Sequence, residues 1–226
     1  SVNYHHGPLT LAAKYEFRTK VNTTNTTNQL EATMGQGLQQ AIMASYGDMG
    51  PAVLQGIAQT LDSKMAGYKD GAETRYDMPS LLTAAVGYEF TPRLRGALEY
   101  HFFDDKNAKM AGDRQELLSH GTHEFLAGVE YDVTEKLSLS CGGQRTDYGA
   151  TDEFQQNTSF VCDSWSVGLG GAVKLNEQVK LNFSYFCSIY SDFKVESNNY
   201  LGTSLAGKDV YSRTNHVIGV GIDYKF

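Results

Sequence analysis

Read back from the C-terminus, Phe226, Tyr224, Ile222, Val220 and Ile218 alternate with Lys225, Asp223, Gly221 and Gly219, and this period of two predicts a strand with two unlike faces. The alternation recurs at 179–189, 165–175, 137–141, 125–133, 94–102, 82–90 and 9–17, so eight strands are expected. Residues 1–4 read as the tail of a further strand, followed by a turn at 5–8. The chain is therefore expected to be a fragment that opens partway through a hairpin.

The connections alternate between short and long. Thr91-Pro92-Arg93, Thr134-Glu135-Lys136 and Asn176-Glu177-Gln178 are tight polar turns, whereas residues 22–75, 104–121, 148–162 and 192–212 are long. All short turns thus fall at one end of the strands and all long loops at the other. This pattern predicts an all-β fold, an antiparallel up-and-down transmembrane β-barrel in which outer-membrane lipid is the partner of the apolar face. A strand of about 11 residues at roughly 3.3 Å per residue and a tilt near 40° rises about 28 Å, which matches the apolar band of such a barrel. Tyr88, Phe90, Tyr131, Val133, Tyr224 and Phe226 crowd the apolar face beside the short turns, where an interfacial girdle belongs. A soluble lipocalin-like barrel that binds lipid also alternates, but this apolar face is aromatic on nearly every strand and would overfill an eight-stranded interior.

Within residues 22–75, taken as an extracellular loop, Leu54, Ile57, Ala58, Leu61 and Met65 fall at helical spacing behind Pro51, and Leu30, Met34, Ala41 and Ile42 form a weaker stripe. One or two amphipathic helices are expected. Their apolar sides either pack on each other to cap the barrel or form a groove, with Leu54, Ile57, Leu61 and Met65 as its wall, that catches a hydrophobic small-molecule ligand.

Composition narrows the function further. The 226 residues include 14 Tyr, 11 Phe, 1 Trp and 23 Gly, with mean hydropathy -0.38, and no run of 18 apolar residues exists to form a helical span. A net charge of -7 without any basic run speaks against nucleic acid as a partner. Cys141, Cys162 and Cys187 are spaced for neither zinc nor a disulfide framework and read as small hydrophobes. His101, His120, His123 and His216 lie on different elements, so no metal is expected, and the glycine pairs at 168–171 and 219–221 sit inside strands rather than in phosphate loops. No catalytic constellation and no cofactor site is visible. The inward positions carry Lys14, Glu16, Arg18, Lys20, Arg95, Glu99, His101 and Glu130; structural pairing explains them, or Lys14, Arg18 or Arg95 receives the carboxylate of a fatty acid.

Residues 77–79 leading into SLLTAAVGYEFTPRLRGALEYHFF, then EFLAGVEYDVTEKLSLSCGGQRTDYGATDEF, SWSVGLGGAVKLNEQVKLNFSYF and DVYSRTNHVIGVGIDYKF resemble the C-terminal half of the FadL/TodX family. Its members are outer-membrane transporters of long-chain fatty acids and aromatic hydrocarbons in Gram-negative bacteria, and the wording of the strands suggests a Bacteroidetes member. The resemblance implies a barrel of about fourteen strands with an N-terminal hatch, helical external loops as the first ligand site and a gap in the wall for lateral exit. It also implies recognition by the barrel-assembly machinery through the last strand, ending at Phe226. Transport would be passive. Two rival readings remain: a small closed barrel that displays its loops, and a lipid-modifying barrel enzyme, for which no nucleophile and base are seen.

Overall fold

The structure is a computed structural model that describes residues 1–26, 33–156, 159–198 and 206–225; Leu30 and Phe226 lie outside the described residues. In chain order the elements are β1 (Val2–His6), β2 (Leu9–Glu16), β3 (Asn22–Thr24), α1 (Gln36–Tyr46), α2 (Gly50–Met65), β4 (Glu73–Arg75), β5 (Leu81–Thr91), β6 (Leu94–Phe103), β7 (Thr122–Asp132), β8 (Leu137–Asp147), β9 (Ser164–Lys174), β10 (Val179–Tyr190), β11 (Phe193–Ser197), β12 (Gly207–Tyr211) and β13 (Thr214–Tyr224). They fall into two compact units, residues 1–19 with 78–226 and residues 20–77.

The first unit is built on an antiparallel sheet in the order β1-β2-β5-β6-β7-β8-β9-β10-β13. It has nine strands rather than eight, because residues 2–6 pair fully with β2. Apart from the intervening helices and small two-stranded ladders, every neighbour in the sheet is the next strand in the chain, which is the up-and-down topology that the alternating loop lengths require. Among the described residues the edge strands β1 and β13 do not pair with each other, so no closure is seen.

Each of the three polar turns is made by the side chain of its first residue. Thr91 Oγ1 accepts from the N–H groups of Arg93 and Leu94 at 3.2 and 3.0 Å, and Thr134 Oγ1 from Lys136 and Leu137 at the same two distances. Asn176 Oδ1 accepts from Gln178 and Val179 at 2.9 and 2.8 Å. A short side chain that satisfies two otherwise unpaired N–H groups reverses the strand in three residues.

The faces of the sheet are inverted relative to a soluble protein. On β7, Phe125, Ala127, Val129 and Tyr131 are exposed while the intervening Glu124, Leu126, Gly128, Glu130 and Asp132 are half-buried. Trp165, Phe183 and Ile222 are 61%, 46% and 69% exposed, whereas Ser164, Ser166 and Ser188 are 3%, 4% and 5% exposed. A continuous aromatic and aliphatic face left open is stable only against hydrocarbon. The apolar face is therefore the outward one.

The second unit is a helical hairpin on a small β3–β4 ladder. Pro51 occupies the first turn of α2, where its missing N–H costs nothing, and Gly50 lets the backbone close on α1: a Cβ there would lie 2.7 Å from Met43 Sδ. Ile42 is the buried residue of α1. At the end of the ladder Arg75 grips the fully buried Asp77 carboxylate with two hydrogen bonds of 2.8 and 2.7 Å. The long loop at 192–212 contains the antiparallel β11–β12 pair, whose five-residue strands are too short to announce themselves by periodicity.

Candidate functional site

The inward face divides into three levels. At mid-height, pairing places Thr10, Gly87, Ala97, Gly128, Gly142, Gly168, Phe186 and Val217 in one transverse row across β2, β5 to β10 and β13. Side chains stand perpendicular to a sheet, so a row of glycines leaves a trough. It encloses about 700 Å³, with Leu126 along one side and Phe186 at one end. Gly142 is indispensable to the strand approach itself, since a Cβ there would lie 2.8 Å from the Ala127 carbonyl oxygen.

Toward the short turns the face is charged. Arg95 donates through Nη1 to Asp132 Oδ2 at 2.9 Å and through Nη2 to Glu130, and Ser138 holds the other Asp132 oxygen at 2.5 Å. Lys180 lies 3.8 Å from Asp223, which also accepts from Asn182 at 2.9 Å. Toward the long loops the face is polar and drier. Glu124 accepts from Gln144 Nε2 at 2.9 Å and Thr146 Oγ1 at 3.2 Å and contacts His101 Nδ1 at 3.1 Å, while Ser166 and Ser188 share a 2.8 Å hydrogen bond. This mutually satisfied network is absent from the sequence reading, although its members all share the inward parity of their strands.

Two loops interlock above that network. Residues 104–121 and 148–163 are joined by hydrogen bonds from Ser119 N–H to Gly149 O at 2.8 Å, Thr151 Oγ1 to Leu117 O at 2.7 Å and Arg114 Nη2 to Phe154 O at 2.7 Å. Ala108, Leu118, Phe154 and Cys162 are buried, which gives this cap a small core of its own. Burial pushes the Cys162 thiol up, away from the reactive thiolate. It also raises the Asp105 carboxyl, one oxygen of which accepts from the Thr122 N–H at 3.1 Å.

The candidate carboxylate receivers are not brought together. Lys14 is bridged to Glu16 on its own strand, Arg18 lies beyond the end of β2 and donates to the Asn107 carbonyl oxygen, and Arg95 holds Glu130 and Asp132. Lys14 is paired with Thr83 and Arg95 with Glu89, six residues apart on β5, or about 20 Å along the strand. In the helical unit Leu54, Ile57, Leu61 and Met65 do share one face of α2, and all four are half-buried, whereas Ala58 is exposed. Among the described residues no cluster of three or more metal-ligating side chains occurs.

Three comparisons bear on this arrangement. The family model described as outer membrane protein beta-barrel domain matches residues 37–226. Among solved structures, a FadL homologue of Pseudomonas aeruginosa is similar in fold, with a TM-score of 0.62 at 14% identity over 98% of this chain and 50% of that one. The toluene transporter TodX of Pseudomonas putida gives 0.47 at 12% identity, over 97% of this chain and 46% of that one. The chain spans about half the length of the solved structures it matches. No curated protein matches it. With an outward apolar face, an inward polar face and a family match over most of its length, the chain belongs to the outer membrane protein beta-barrel domain family and resides in the outer membrane of a Gram-negative bacterium.

Proposed function

We propose that the chain forms part of a passive outer-membrane channel for hydrophobic compounds such as long-chain fatty acids or aromatic hydrocarbons. The observation that carries this reading is the trough of about 700 Å³ at mid-height on the inward face, where five consecutive strands place Gly or Ala in register and end on Phe186. Bare backbone with Leu126 and Phe186 gives a greasy solute an apolar strip between Glu99 on the loop side and Arg95 and Glu130 on the turn side. The half-buried stripe Leu54, Ile57, Leu61 and Met65 serves as the capture surface. No covalent step is needed.

The basic candidates separate the ligand classes. A fatty-acid carboxylate at Arg95 must exchange with Glu130 and Asp132, whereas a hydrocarbon asks nothing of these groups. The test is uptake of oleate and of toluene by cells that lack their own transporters and express the whole protein. Gly128→Phe fills the trough without a backbone clash, because a Cβ there meets its nearest atom at 3.6 Å. Uptake of both compounds falls to background with assembly intact, as judged by heat-modifiable migration. Arg95→Ala lowers oleate uptake alone, and Leu61→Glu lowers both by weakening capture. Unchanged uptake in a correctly assembled Gly128→Phe protein overturns the channel and leaves a loop-display role.

A further inference from the structure

The outward face should be uniformly bulky if its sole task is to meet fluid lipid, yet across β5 to β9 it is hollowed. Pairing sets Val86, Leu98, Ala127, Gly143 and Val167 in one outward row and Ala84, Tyr100, Phe125, Arg145 and Trp165 in the next toward the loops. The small residues Ala84, Ala127 and Gly143 lie among Leu98, Phe125 and Trp165, and the result is a groove of about 810 Å³. Its walls are almost entirely hydrocarbon.

One outward charge interrupts it; Glu99, which also borders the groove, belongs to the inward row with Leu126. Arg145 is the single Lys or Arg at an outward position of the nine-stranded sheet among the described residues, and it stands at the long-loop end of the groove. Its guanidinium donates to Asp163 Oδ2 at 2.8 Å and to the Ser164 carbonyl oxygen at 3.5 Å, and it sits 5.4 Å from the Trp165 ring. Asp163 is itself committed, accepting from the Tyr148 N–H at 3.0 Å. The neighbouring acid at Asp147 faces His120 at 3.7 Å. With five N–H donors on a planar fork, the Arg145 guanidinium keeps donors for a phosphate after these contacts are made. A long-loop end is the end that faces outward from the cell, where head groups of the outer leaflet begin.

We propose that this groove holds an outer-leaflet lipid that bears a phosphate monoester, with an acyl chain laid over Ala127 and Gly143 and that phosphate on Arg145. The site rests on the membrane orientation and is independent of the channel reading, so either can fail alone. An acyl chain is the occupant that the groove's apolar walls and its place in the bilayer demand, and the single cation at the head-group end selects for an anionic phosphate monoester over a zwitterionic diester.

Trp165, the chain's only tryptophan, is a built-in reporter at the groove. The whole protein is reconstituted in phosphatidylcholine vesicles, and brominated phosphatidic acid or brominated phosphatidylcholine is added at low mole fraction while tryptophan fluorescence is read. A Trp165→Phe protein supplies the background. The phosphatidic acid quenches with an apparent affinity about tenfold higher than the phosphatidylcholine, as expected of one added charge-assisted contact. Arg145→Gln brings the ratio to about one. Gly143→Leu, which fits because a Cβ there meets only the Ser166 carbonyl oxygen at 3.5 Å, abolishes saturable quenching by filling the groove; Ala127→Leu does the same by a second route. Equal quenching by both lipids in the wild type, or a preference that survives Arg145→Gln, overturns the proposal. So does quenching by neither lipid accompanied by crosslinked dimers, which assigns the groove to a second copy.

Discussion

The two faces of one sheet obey opposite rules. Outward, large side chains such as Trp165, Leu169 and Ile222 stay exposed in the protein because hydrocarbon completes their surroundings, and polar groups are confined to the rim. Inward, Glu124, Gln144, Thr146, Ser166 and Ser188 are buried or half-buried and nevertheless polar, because each finds a hydrogen-bond partner on the next strand or in the layer above it. The difference shows that burial and hydrophobicity are separate variables in such a protein. What decides a residue's chemistry is the solvent on its side of the sheet.

The sharpest way to break this comparison is to put a charge on the outward face at mid-height. Leu169 is the central residue of β9 and points outward, so Leu169→Arg should cost about 2–4 kcal/mol of folding stability in lipid, measured by urea titration of the reconstituted protein. A cost near zero would mean that this face meets water.

The adjacent glycines Gly142 and Gly143 refine it, since they point to opposite faces of one strand. Gly142→Ala should cost roughly 1–3 kcal/mol because its new methyl lies 2.8 Å from the Ala127 carbonyl oxygen. Gly143→Ala, with its nearest atom at 3.5 Å, should be neutral or stabilising by up to about 1 kcal/mol. The same titration distinguishes the pair, and equal effects would remove the packing argument for the inward row.

The smallest effect concerns the polar rim, where the inward face meets the interlocked loops. Burial raises the Asp105 carboxyl, so the folded state binds that proton more tightly than the unfolded state does. Its contribution is therefore most favourable below the ordinary carboxylate range and is lost as pH rises through the raised folded value. Asp105→Asn keeps an oxygen for the Thr122 N–H and removes the ionisation, and it should slow amide exchange in residues 104–121 at neutral pH and leave acidic pH unchanged. Exchange that is insensitive to the substitution at both pH values would detach Asp105 from the cap.

Much of this was legible in the residues. Alternation located the strands of the sheet, and Thr91, Thr134 and Asn176 marked the three tight turns because a side chain that caps its own turn acts locally. The α2 stripe was legible for the same reason, as were the outward positions of Trp165, Phe183 and Ile222. The partners of Arg95 were not, since Glu130 and Asp132 lie 35 and 37 residues away and meet it only through the β6–β7 register. Arg145 carried a signal that passed unused: it shares the parity of Leu139 and Cys141, an unusual place for a cation.

By itself the chain determined that each strand has one greasy and one polar side, where the chain reverses and which ends carry the long loops, because these depend on period and on turn chemistry within a few residues. Only the tertiary structure decided that the glycines of four strands and Ala97 of a fifth fall in one inward row, that small outward residues line up into a groove below Arg145, and that the loops at 104–121 and 148–163 lock together. Register between strands is set by hydrogen bonds made by every residue alike, so no single stretch of sequence announces which side chains become neighbours.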